Sequence, residues 1–202
     1  MQETNPHLRA AILEDGRMFE GGKLEIQPAA KKLRSFAING KDKSGLSISS
    51  TEHYSLPRVF PGLEEVNVYL GWFGASTKLM HRFAKTQNAF LKIPAVKNIM
   101  AKLVSATSKS RGVGPEENSR EKSRSMVVAE AFDASGKLLS RADCEGVNGY
   151  NFTARFIAWA AHQFSTGAGR GAGALGPVET FGLDLLTTGC NESGIDVKIT
   201  LP

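Results

Sequence analysis

The chain predicts an α+β fold: a mostly antiparallel or mixed sheet with helices packed on it and no Rossmann domain. Short alternating apolar segments crowd the region before Trp72, a helical period follows, and a second strand pair then precedes further helices. Strands and helices are therefore grouped, where a parallel sheet would interleave them as regular βαβ units. Between two of the early segments stands Asn39-Gly40, the dipeptide that two-residue hairpins favour. No internal repeat and no composition shift divides the 202 residues, which read as one domain over 1–202.

In chain order, residues 6–13 have helical spacing behind Asn5 as an N-cap, and Gly16 ends the run. Residues 23–27, 32–38 and 46–50 read as strands, and residues 51–58 as a loop bounded by Pro57 and Pro61. Apolar and other residues alternate over 65–72, a further strand. From 76 to 108, Leu79, Phe83, Phe90, Ile93, Val96, Ile99, Met100 and Leu103 form an apolar stripe that Pro94 divides into two helices. Residues 109–124 are rich in Gly, Ser and charge and read as a mobile loop, with room for a short helix after Pro115. Residues 125–132 and 137–144 pair as strands across the turn Asp133-Ala-Ser-Gly136. A helix over 151–163, a Gly-rich segment, a helix near 181–190 and a strand over 196–201 complete the chain.

Composition narrows the function classes. The chain is 41% hydrophobic and 22% charged, with no apolar run near the roughly 18 residues of a membrane span and a polar N-terminus unlike a signal peptide. A cytoplasmic protein without membrane association is expected. Cys144 and Cys190 are then expected as free buried thiols. The net charge of +5 raises nucleic-acid binding. However, the excess cations between Lys78 and Arg124 have the spacing of a solvated helix face, and neither zinc-finger spacing nor a base-stacking strand motif accompanies them. Nucleic acid is not expected as a partner.

Gly171-Ala-Gly173-Ala-Leu-Gly176 spells the G-x-G-x-x-G fingerprint of a dinucleotide site. That fingerprint works only where a strand precedes the glycines and a helix starts among them, presenting N–H groups to the pyrophosphate. Here the preceding element reads as a helix, Pro177 follows Gly176 at once, and too little chain remains for the second strand and its acid. No cofactor is expected on these glycines.

Several segments, in order, resemble the second half of saccharopine dehydrogenase-like oxidoreductases. They are Gly21-Gly-Lys-Leu, Thr51-Glu-His-Tyr-Ser-Leu-Pro-Arg58, Val66-Asn-Val-Tyr-Leu-Gly-Trp72, Arg124-Ser-Met-Val-Val-Ala-Glu130, Gly149-Tyr-Asn-Phe-Thr-Ala and Leu175-Gly-Pro-Val-Glu-Thr-Phe-Gly-Leu-Asp. The resemblance covers nearly the whole chain through weak motifs rather than one signature. It implies the C-terminal α+β domain of such an NAD(P)-dependent enzyme, which binds a small-molecule substrate and builds a homodimer. The family's N-terminal Rossmann half has no counterpart here, so NAD(P) is expected only with a separate Rossmann partner or a missing N-terminal half. The chain alone is expected to be inactive. The alternative is a non-catalytic small-molecule-binding or assembly module, using the same pocket or the stripe at Leu79–Leu103.

The residues themselves offer one candidate site. His53 suits proton transfer at neutral pH, and Arg58 suits a carboxylate, whose two oxygens its guanidinium fork binds. Glu52 lies beside them, and Tyr69 and Trp72 are placed to wall the same cleft. The same residues also fit a hydrogen-bonded structural histidine, an Arg58–Glu52 pair and two core aromatics. Glu179 fits a helix cap better than a catalytic acid. His81 and His162 have no second ligand at helical spacing, so no metal is expected.

Overall fold

The computed structural model describes residues 15–71, 77, 78, 81 and 117–201, in two compact units, Met1–Gly112 and Val113–Pro202. In the first unit, β1 (Gly16–Glu20) and β2 (Lys23–Gln27) form an antiparallel pair with Glu20 opposite Lys23. Gly16 opens β1, a strand not expected from the sequence, whose Met18 and Phe19 are both buried. The covering of two faces removes the alternation by which a half-buried strand is found. The N-terminal helix expected over 6–13 and the two helices expected over 76–108 lie outside the described residues, apart from helical turns at 77, 78 and 81.

Next, β3 (Leu33–Ile38) and β4 (Lys41–Ser47) pair across Asn39-Gly40. Both turn residues have positive φ, 49° and 70°, as a type I′ turn requires, and only Gly and Asn adopt that readily. A third strand, β5, is short, Tyr69–Leu70, with Leu46 opposite Leu70 and Ser47 opposite Tyr69. The strand expected over 65–72 is thus divided. Glu65 bridges to Glu20 and the Val66 N–H donates to the Phe19 carbonyl at 3.0 Å, whereas only the later part joins β4. Ala30 and Leu46 centre the core, with Leu33, Ile48 and Leu70 packed against them. Between β4 and β5 lies α1 (Glu52–Val59).

Three charged groups tie this unit's strands together. Lys32 donates to Glu20 at 3.0 Å, to Glu65, and to the Asn67 side-chain oxygen at 2.9 Å. Burial opposes the Lys32 charge, but its bonds to Glu65 and Glu20 outweigh that and raise its pKa. Glu20 is held below the ordinary value of 4.5 by hydrogen bonds from Gln27 and Lys32, and Glu65 by its bond from Lys32. Depressed carboxylates stabilise the fold above their unfolded pKa, and that contribution fades as pH falls through the folded one. A raised lysine withdraws its share only in strong alkali. Lys32→Met is therefore expected to cost about 1 kcal/mol at neutral pH, because the groups are partly exposed. Its deficit relative to wild type should shrink at pH 3, as urea unfolding at the two pH values will read.

The second unit begins with α2 (Glu117–Lys122), a short helix where the sequence left room for one after Pro115. A three-stranded antiparallel sheet follows in the order β6-β7-β8: β6 (Arg124–Phe132), β7 (Leu138–Val147) and β8 (Ile195–Thr200). The β6–β7 turn is held by Asp133, whose Oδ1 accepts from Ser135 N–H at 2.8 Å and Lys137 N–H at 3.0 Å. Between β7 and β8 run α3 (Gly149–Ser165), α4 (Pro177–Phe181) and α5 (Leu183–Glu192). Asn148 caps α3 by accepting from Tyr150 N–H at 2.9 Å. Along α3, Phe152, Phe156 and Trp159 stack in succession, and Trp159 and Phe164 both meet Phe181 of α4 edge-on. The architecture is α+β with three small antiparallel sheets, and no parallel sheet occurs among the described residues.

The β6-β7-β8 register sorts side chains onto two unlike faces, because directly opposed residues share a face. One carries Val128, Asp143 and Lys198 in a row, then Glu130, Arg141 and Thr200. On it Arg141 pairs with Glu130 at 2.8 Å and Asp143 at 2.7 Å. The other carries Val127, Cys144 and Val197, then Ala129, Ala142 and Ile199. That apolar face is left open in part: Val127 is 56% exposed and Ile199 64%.

Candidate functional site

The segment 51–58, expected as a loop, is the helix α1. Thr51 accepts from Tyr54 N–H at 3.0 Å and Ser55 N–H at 3.1 Å, while Glu52 in the first turn and Arg58 in the last complement the helix dipole. Those end charges were the legible signal. Pro57 misled because a proline usually marks a boundary. Here it falls in the last turn, where it forgoes one helical bond, and the helix stops at Val59.

The helix separates the predicted site residues. Arg58 lies six positions beyond Glu52, about 9 Å along the axis, and both are exposed. Glu52 receives hydrogen bonds from Ser50 and from Thr51 at 3.3 Å. His53 turns inward and is only 1% exposed. Its Nδ1 accepts from the Phe19 N–H at 3.2 Å, and its Nε2 donates to the Ile48 carbonyl at 3.2 Å. This is the pattern of a neutral ring protonated on Nε2. With both nitrogens engaged on the backbone, His53 presents none to a substrate, and the geometry favours its structural reading over proton transfer. Tyr69 is half-buried, edge-on to Phe36 at 5.6 Å, and burial raises its phenol pKa. Trp72 lies outside the described residues.

In the second unit the glycine segment runs from α3 to α4, helix to helix, without the strand that a pyrophosphate site requires. Gly176 is the N-cap of α4, and the Glu179 carboxylate accepts its N–H at 2.6 Å, so Glu179 serves as the cap expected of it. The segment folds over a cleft of about 390 Å³, lined by Phe164, Leu175, Pro177, Thr180 and Phe181 together with Arg170 and its neighbouring glycines. The Arg170 N–H donates to the Thr180 carbonyl at 3.0 Å, pinning the loop to the end of α4. An added Cβ on Gly169 would lie 2.4 Å from the Phe164 ring, and one on Gly171 2.6 Å from a Leu175 methyl. Gly169 and Gly171 thus let the backbone approach Phe164 and Leu175 closely at two points on the cleft wall. Neither Arg170 nor this cleft is among the candidates read from the sequence; a lone cation in a Gly/Ala run is the one signal it offers.

Cys144 and Cys190 are free thiols, half-buried where the sequence suggested burial, and burial raises both pKa values. Since the thiolate is the reactive form, both should alkylate with iodoacetamide more slowly than free cysteine at pH 8, as mass spectrometry will follow. His81 donates its Nδ1–H to the Ala30 carbonyl at 3.0 Å. Among the described residues no group of three His, Cys, Asp or Glu side chains is placed to hold a metal ion. No helix among them is long and apolar enough to cross a membrane. Compared with known proteins, the chain matches no family model and no curated protein.

Proposed function

We propose that this chain is the substrate-binding and dimerisation domain of a cytoplasmic, saccharopine dehydrogenase-like NAD(P)-dependent oxidoreductase, active only beside a Rossmann domain. The observation that carries the reading is the helix-to-helix setting of Gly171–Gly176 within an antiparallel α+β unit. Such a setting fits a substrate half better than a cofactor half, and the ordered segments resembling that part of the family support the same reading. The cofactor would supply the hydride chemistry. Titration with NAD(P)H, followed by fluorescence, is the test. The chain alone should not bind, and addition of a Rossmann partner should restore binding and turnover. Tight binding by the chain alone, or no turnover with its natural partner, would overturn the proposal.

A second reading, an assembly module without catalysis, is favoured by the open apolar face of β6-β7-β8, since exposed apolar patches mark interaction surfaces. We propose that in either reading a second copy of the chain covers the exposed part of that face. Ile199→Lys should therefore shift sedimentation from dimer toward monomer without loss of the folded far-UV spectrum.

A further inference from the structure

We infer that the cleft beneath the Gly-rich segment is a binding site for a small apolar acid, whose carboxylate is taken by Arg170. Its volume of about 390 Å³ falls within the range of small-molecule sites, which are mostly apolar with a few placed polar groups. Phe164 and Phe181 meet edge-on at 5.5 Å and form the floor with Leu175 and Pro177. Phe181 is buried, whereas Phe164 is 56% exposed and Leu175 38%. Two of the lining side chains therefore keep apolar surface open, on which a hydrocarbon group of a ligand would lie.

The polar groups select what joins it. Thr180 is buried and spends its hydroxyl on the Gly176 carbonyl at 3.1 Å, and the Glu179 carboxylate is turned onto the Gly176 N–H. Arg170 is the one charged side chain lining the cleft, and its guanidinium makes no ion pair with the described residues. A guanidinium fork at the rim of an apolar pocket fits a carboxylate held by two parallel hydrogen bonds. The backbone that carries it is fixed by the Arg170–Thr180 bond and by the close seating of Gly169 and Gly171, so the side chain springs from a set point on the lining and has only its own rotamers to adjust to a ligand. This assignment names a substrate class for the domain proposed above and rests on that proposal for the ligand's being a substrate.

The test uses the whole chain, with hexanoate as the probe and hexan-1-ol as its uncharged counterpart, read by amide chemical shifts. Hexanoate should shift Gly171, Gly173, Leu175 and Thr180 saturably and bind at least tenfold tighter than hexan-1-ol. Arg170→Gln should weaken hexanoate at least tenfold and leave hexan-1-ol unchanged. Arg170→Lys, which keeps the charge but not the fork, should fall between. Arg170 is exposed, and the near-ultraviolet spectrum of Trp159 and Phe181 checks that each variant is folded. Equal binding of the two probes, undiminished hexanoate binding by Arg170→Gln, shifts confined to other residues or no shifts at all would each overturn the inference. No nicotinamide cofactor enters this experiment, so failure of the NAD(P)H titration leaves its result standing, and its own failure leaves the oxidoreductase proposal standing.

Discussion

Gly146→Ala is expected to destabilise the second unit by about 3 kcal/mol, the upper end of what overpacking costs. Gly146 is buried in β7 opposite Ile195 of β8. A Cβ there would lie 2.0 Å from the Gly194 carbonyl oxygen and 2.6 Å from the Ile195 Cα. Both neighbours are backbone, and that same carbonyl accepts the Val147 N–H at 2.9 Å, so relief requires moving the strand. Gly189→Ala is a useful contrast. Its Cβ would meet the Trp159 ring at 2.5 Å, but α5 would gain about 1 kcal/mol of helix propensity in return and a side chain yields more readily than a strand. Urea unfolding should show Gly146→Ala as clearly the worse. Equal stability of Gly146→Ala and wild type would refute the close approach of β7 and β8.

His53→Ala should cost about 3–4 kcal/mol. The substitution opens a cavity and strands two buried backbone groups, the Phe19 N–H and the Ile48 carbonyl, each of which carries a penalty of about 1–3 kcal/mol when unsatisfied. His53→Gln, with an amide able to donate and accept, should recover part of the loss. In a reconstituted enzyme, any fall in activity of His53→Gln should track the folded fraction. A folded His53→Gln with turnover reduced a hundredfold would instead return His53 to the catalytic role suggested by its residue type.

How far these features could be read from the sequence differed with the kind of signal. Asn39-Gly40, the Asp133–Gly136 turn and the long aromatic helix at 151–163 announced themselves, because each depends on local chemistry: positive φ, an Asx turn, a helical period. The boundaries there moved by only a few residues. β1 was hidden, since Met18 and Phe19 are both covered and leave no alternation. α1 was hidden by Pro57. At the site, residue types were legible and directions were not. His53 looked chemically apt, yet whether its ring meets solvent or two backbone groups depends on β1, thirty-four residues away in sequence. Arg170 is the opposite case: a cation among glycines carries no local signal, and its setting comes only from the tertiary convergence of Phe164, Leu175 and Phe181 on the same cleft.

The strand order of the second sheet has a consequence for how the chain acquires its structure. β6 and β7 form a local hairpin, which closes within microseconds in isolation, whereas β8 reaches β7 only after α3, α4 and α5 have been made. Late, non-local pairings of this kind slow folding because the loop-closure entropy falls due before any contact rewards it. During synthesis β7 therefore stands as a bare edge, and its open backbone can recruit a strand from another chain. The second unit should be most vulnerable to aggregation in the interval between emergence of the hairpin and arrival of β8, and a holdase acting in that interval should raise its soluble yield more than one added afterwards.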